Sequence, residues 1–115
     1  MRFIMGRFPL PVLLLSPFLI SAAVAEPLFP LNARQTILEA DRHLVADGWQ
    51  PSPEMTPSSE ERRLAAVNLR SLSACSGTGI GFCRFDYQRN SQRLSVVTVP
   101  SEPGRPSVGR VDRWW

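Results

Sequence analysis

The chain reads as an α+β domain: two N-terminal helices packed on one face of a three- to four-stranded antiparallel sheet. Three observations predict this. Apolar residues recur at helical spacing after Asn32, residues 82–87 alternate apolar and charged with the period of a strand, and Pro and Gly cluster between the segments. Helical patterns that come first and strand patterns that follow give a layer of helices over a sheet rather than alternating βαβ units.

The segment before the helices is set apart by composition. Arg2 and Arg7 make a basic start, residues 8–25 carry no charge, and Ala23-Val24-Ala25 stands immediately before Glu26. A positive start, an apolar middle and an A-x-A end form a secretory signal, so residues 1–25 are expected to be cleaved and residues 26–115 to form one small domain. Eighteen uncharged residues just reach bilayer length, but Pro9, Pro11 and Pro17 interrupt a spanning helix. No stable membrane span is expected after cleavage. The expected location is periplasmic or secreted.

The charge balance follows from that cleavage. The whole chain carries a formal +3. Two of its 13 basic residues, all arginine, lie in the signal, which leaves 11 against 10 acids in residues 26–115. These arginines are scattered, so no nucleic-acid partner is expected.

The first helix is predicted over residues 33–47, with Asn32 as cap and Gln35 in capping-box position. Ile37, Ala40, Leu44 and Val45 form its apolar stripe, Gly48 stops it, and Trp49 is placed to fold back over that stripe. Residues 50–58 hold Pro51, Pro53 and Pro57 and read as a stiff loop. Ser58-Ser59-Glu60-Glu61 starts a second helix over residues 59–69, with its acids at the positive end of the dipole. Residues 69–76 read as either its last turns or a short strand.

Residues 82–87 and 94–99 form a hairpin around the polar stretch 88–92. Cys83, Phe85 and Tyr87 point one way and Arg84 and Asp86 the other. After a loop with Pro100, Pro103, Gly104 and Pro106, residues 108–114 make a last edge strand.

A domain of 90 residues has a thin core, and the cysteines Cys75 and Cys83 are an even count in an exported chain. They are expected to pair. No metal site is predicted, because two cysteines eight apart and one distant histidine do not make a four-ligand set. No cofactor is expected either. Gly77-Thr78-Gly79-Ile80-Gly81 precedes a strand pattern instead of a helix and has no lysine, so it reads as a connection within the Cys75–Cys83 loop.

His43, the lone histidine, stands four residues after Glu39, where helical pairing is the simpler use of both. A small hydrolase or transferase would need His43 as base and a serine such as Ser76 or Ser95 as nucleophile. No spacing ties these residues together, so no catalytic residues are assigned. Trp49, Trp114 and Trp115, with Arg113 beside the terminal pair, are candidate interaction residues, since tryptophan and arginine dominate interface hot spots. Alternation sends Trp114 and Trp115 to opposite faces. One is expected to pack on the core and the other to offer a contact to a protein partner in the cell envelope. A structural envelope component would have the same appearance.

Gly48-Trp49-Gln50-Pro51 after a helix, Cys75-Ser76-Gly77-Thr78-Gly79 with Cys83-Arg84-Phe85, and a terminal strand ending in Trp resemble small exported proteins of cyanobacteria. The resemblance covers most of residues 33–115. It implies the disulfide and the single-domain layout and brings no activity with it. The order helix-helix-strand-strand-strand is also similar to a small lipoprotein of the outer-membrane barrel-assembly machinery and to the repeat of a secreted β-lactamase inhibitor. The chain departs from the first in having no lipid-attachment cysteine directly after the apolar run, and from the second in having one repeat's worth of residues.

Overall fold

A computed structural model describes residues 29–76 and 81–115. The signal expected over residues 1–25 and most of the Gly77–Gly81 stretch lie outside the described residues.

The first helix is shorter than its pattern. Arg34 has φ +73°, a left-handed conformation that cannot continue a helix, so α1 spans Ile37–Ala46. Its cap is Thr36, whose side chain accepts from Glu39 N–H while Glu39 reaches back to the Thr36 N–H. The expected Asn32–Gln35 pairing exists as a turn ahead of the helix, with Asn32 N–H donating to Gln35 Oε1 at 2.8 Å. Residues 34–36 are instead drawn to the sheet. Arg34 N–H donates to the Val111 carbonyl, and Val111 N–H donates to the Gln35 carbonyl at 2.8 Å. Tertiary pairing has overridden the local helix signal.

The C-terminus of α1 follows its sequence. Gly48 has φ +93°, its N–H donates to the Val45 carbonyl, and Trp49 N–H donates to the Leu44 carbonyl. Those two hydrogen bonds turn Trp49 back into the buried cluster. Ile37, Ala40 and Leu44 are buried, whereas Val45, counted in the stripe, is exposed.

Trp49 leads into β1 (Gln50–Pro51), a two-residue strand where a loop was expected. Then α2 (Ser59–Ala65) starts at Ser58 with the expected capping box to Glu61. It ends four residues early, because Ala66 adopts φ +57° and closes the helix. The ambiguous segment 69–76 resolves as β2 (Leu72–Cys75), followed by β3 (Cys83–Arg89), β4 (Gln92–Pro100) and β5 (Gly109–Trp114). The β3–β4 turn is tighter than expected. Arg89 pairs with Gln92, and Asn90 takes the positive φ that such a turn requires.

The sheet has five antiparallel strands, one or two more than expected. β3, β4 and β5 form a meander, and β1 and β2 share the outer edge of β3 end to end. Two irregularities shape it. β2 shifts register between Leu72 and Ala74, and β4 and β5 shift between Val97 and Thr98. Gly109 permits the close approach near the second, since a Cβ there would stand 2.7 Å from the Thr98 Cβ. Phe85, Tyr87, Leu94, Val96 and Val111 of the sheet join Ile37, Ala40, Leu44 and Ala65 of the helices in one buried cluster. Cys75 and Cys83 are directly paired across β2 and β3 and form the expected disulfide, with S–S 2.07 Å. No helix of the described residues is long and apolar enough to cross a membrane.

Candidate functional site

Strand alternation gives β3 two faces, and cross-strand pairing extends each over its neighbours. On the Phe85–Tyr87 face, Ser71 Oγ donates to the Tyr87 hydroxyl at 3.0 Å, and Tyr87 donates to Asp41 Oδ1 at 2.8 Å. Burial foremost, with Asp41 adding to it, raises the Tyr87 pKa far above a free phenol's. The hydroxyl therefore stays protonated and acts as a fixed donor that ties α1 to the sheet.

On the Arg84–Asp86 face the register sets out successive rows. Ala74, Arg84, Val97 and Arg113 pair across β2, β3, β4 and β5. Asp86 pairs with Ser95, and Ser95 exchanges both backbone hydrogen bonds with Trp115. Reciprocal pairing puts Trp115 on the same face as Ser95. Arg93 lies opposite Gln88 in the next row.

Asp86 is the surprise of this face. Alternation alone points it at solvent, yet it is only 1% exposed. Ser73 Oγ donates to its Oδ2, Arg84 Nε donates to the same oxygen at 3.0 Å, and Ser95 Oγ donates to Oδ1. A buried carboxylate with donors on both oxygens is the arrangement in which an ionised group is tolerated away from water. The β2 register shift brings Ser73 to it, and residues 52–54 lie along its edge. Ser52 N–H donates to the Asp86 carbonyl at 2.9 Å, and Glu54 N–H donates to Ser73 Oγ at 2.9 Å.

Above this buried carboxylate, Glu54 sits between two arginines. Arg84 Nη2 lies 3.3 Å from Glu54 Oε1, and Arg93 Nη2 lies 3.2 Å from Glu54 Oε2. Arg93 is also positioned by Gln88 Oε1 and the Ser52 carbonyl, both at 3.1 Å. Beside Arg84, a depression of about 310 Å³ is lined by Ala74, the two cysteines, Ser76, Phe82, Arg84, Val97 and Arg113. Its floor is apolar and two guanidinium-bearing residues are among its lining.

The sequence-selected residues distribute unequally over this frame. Trp49 is buried, under the Arg89 guanidinium at 4.6 Å and edge-on to Phe29. Trp114 is half-buried and stacks on Phe29, while Trp115 is 63% exposed. Arg113 is exposed and pairs with Asp112 at 2.8 Å. His43 is exposed on α1, with Nδ1 3.2 Å from Gln35 Nε2, and Glu39 serves the capping box. Ser95 belongs to the Asp86 face, whereas Asp41 places α1 on the Tyr87 side, so the fold does not bring His43 and Ser95 together. Ser76 lines the apolar depression without His43. Among the described residues no three His, Cys, Asp or Glu side chains converge on a metal position.

Sequence reasoning missed Asp86, Arg93 and Glu54. The one available signal was a serine opposite an aspartate in a strand pair, which becomes legible only once the register is known.

No protein-family model, curated protein or solved structure matches the chain. The geometry of the Arg84–Asp86 face is therefore the whole basis for a functional reading.

Proposed function

We propose that the protein is a small exported module that binds a protein partner in the cell envelope and performs no catalysis itself. In this reading both helices cover the Phe85–Tyr87 face of the sheet and leave the Arg84–Asp86 face as the contact surface. Export is supported by the signal pattern before Glu26 and by the Cys75–Cys83 bridge, which belongs to oxidising compartments.

The observation that carries the reading is the company Trp115 keeps. An isolated exposed tryptophan needs no explanation, but this one shares a face with Arg113, which lines an apolar depression together with Val97 and Phe82. An aromatic anchor, arginines and an apolar recess together have the make-up of a protein-binding hot spot.

A photo-crosslinking residue introduced in living cells at Trp115 or Arg113, with a control at Val45 on α1, tests this. A discrete adduct with an envelope protein is expected from positions 115 and 113 and none from position 45. Adducts from position 45 alone, or from no position, would overturn it. Mass analysis of the same preparations checks export, since the mature chain is expected to begin at Glu26.

A further inference from the structure

Glu54 is the one member of the Arg84–Asp86 group that can leave without unmaking the rest. Asp86 is buried, and Arg84 is oriented by it through Nε, which keeps Nη2 directed at Glu54. Arg93 is oriented by Gln88 and Ser52. Both guanidiniums therefore hold their places by bonds that do not involve Glu54, at 31% and 43% side-chain exposure. The Glu54 side chain is 48% exposed, and its backbone is fixed separately through Ser73.

The distances point the same way. The two Glu54 contacts measure 3.3 and 3.2 Å, longer than the ~2.7–2.9 Å of a well-formed guanidinium–carboxylate bond. Glu54 reaches the arginines from a segment pinned to the sheet by the Ser52 N–H bond to the Asp86 carbonyl and the Glu54 N–H bond to Ser73 Oγ, and it divides its two oxygens between them. A carboxylate arriving from solvent has no such tether. With Glu54 turned away, Arg84 and Arg93 face it with two positive charges against the single negative charge of Asp86.

We infer that Arg84 and Arg93 form a receptor for an acidic side chain of the partner, and that Glu54 occupies this receptor in the free protein as an internal competitor. The inference rests on the Arg84–Asp86 face being the contact surface and names the chemistry it selects. The ligand is an extended acidic peptide segment. Its carboxylate enters between Arg84 and Arg93, and an apolar side chain two positions away, on the same side of an extended chain, enters the depression of Phe82 and Val97. Preorganised guanidiniums lower the ordering cost of such binding.

The test titrates the full mature protein with a short capped peptide carrying one glutamate and, two residues on, one phenylalanine. The reporters are the Nε–H resonances of Arg84 and Arg93 by NMR. A control peptide has glutamine in place of the glutamate. Expected are saturable shifts at both arginines with the glutamate peptide and none with the control. Affinity should rise about two- to fivefold in Glu54→Gln, the size of a displaced surface ion pair, and binding should be lost in Arg93→Gln. Backbone spectra of both variants verify that they fold. Equal binding of the two peptides, unchanged or weaker binding in Glu54→Gln, or silence in both proteins overturns the inference. So does a response at these arginines only to vesicles of anionic phospholipid. Crosslinks from Trp115 combined with silent arginines would reject this receptor and keep the contact surface, so the two failures are distinguishable.

Discussion

Phe85 and Asp86 are adjacent in β3 and equally removed from water, at about 1% exposure each, but they are kept there by opposite means. Phe85 is held by packing in the cluster that joins helices and sheet. Asp86 is held by Ser73, Arg84 and Ser95 on a face where an apolar residue would have met little of the core. The first environment is non-directional and best tolerates apolar side chains of similar size. The second depends on a shifted register, two hydroxyls and a guanidinium in fixed positions, which makes it costly to perturb but specific. The proposed contact surface and the proposed Arg84–Arg93 receptor both lie on the second face.

The largest test compares the two directly. Phe85→Ala is expected to cost about 3–5 kcal/mol in chemical denaturation, through lost transfer energy and a cavity. Asp86→Ala is expected to cost about 1–3 kcal/mol, because the Ser73 and Ser95 hydroxyls lose their acceptor while Arg84, partly exposed, keeps Glu54. The contrast appears on replacing the group together. Asp86→Leu combined with Ser73→Ala and Ser95→Ala should recover much of that loss, whereas no polar substitution at Phe85 should. If the combined variant is no better than Asp86→Ala, the carboxylate acts through more than Ser73, Arg84 and Ser95.

Next in size is the disulfide. Its closed loop of nine residues should contribute about 2.5 kcal/mol by restricting the unfolded chain, so Cys75→Ser with Cys83→Ser should lower the melting temperature, as should reduction. An unchanged melting temperature after verified reduction would show that the bridge is not a staple. Tyr87→Phe removes the hydroxyl between Ser71 and Asp41 at nearly constant volume, and a loss of about 1–2 kcal/mol is expected from urea melts.

The smallest effect is a dependence on pH. The Glu61 carboxyl is held below the ordinary value of 4.5, first by the Ser58 N–H and then by the Cys75 N–H. A depressed folded-state pKa stabilises above the unfolded value and loses that contribution as pH falls through the folded one. Stability should therefore decline below about pH 4.5, and Glu61→Gln should flatten part of the decline. An identical slope in the variant would assign acid sensitivity elsewhere.

The sequence alone was enough for the class of fold, the order of most elements, the Ser58 capping box, the Gly48 stop with Trp49 folded back, and the Cys75–Cys83 bridge. Each of these depends on residues within a few positions of one another, or on a count of two that leaves one pairing. It also singled out Trp115 and Arg113, although not the surface they share. What required tertiary structure was every feature set by long-range register. Residues 34–36 leave the helix to pair with β5, Gln50 and Pro51 become a strand against β3, and the β2 shift turns Ser73 toward Asp86. Helical and strand periods are properties of a segment and can be read along it. The burial of Asp86 and the position of Glu54 between Arg84 and Arg93 depend on which strands lie side by side, and no local pattern encodes that.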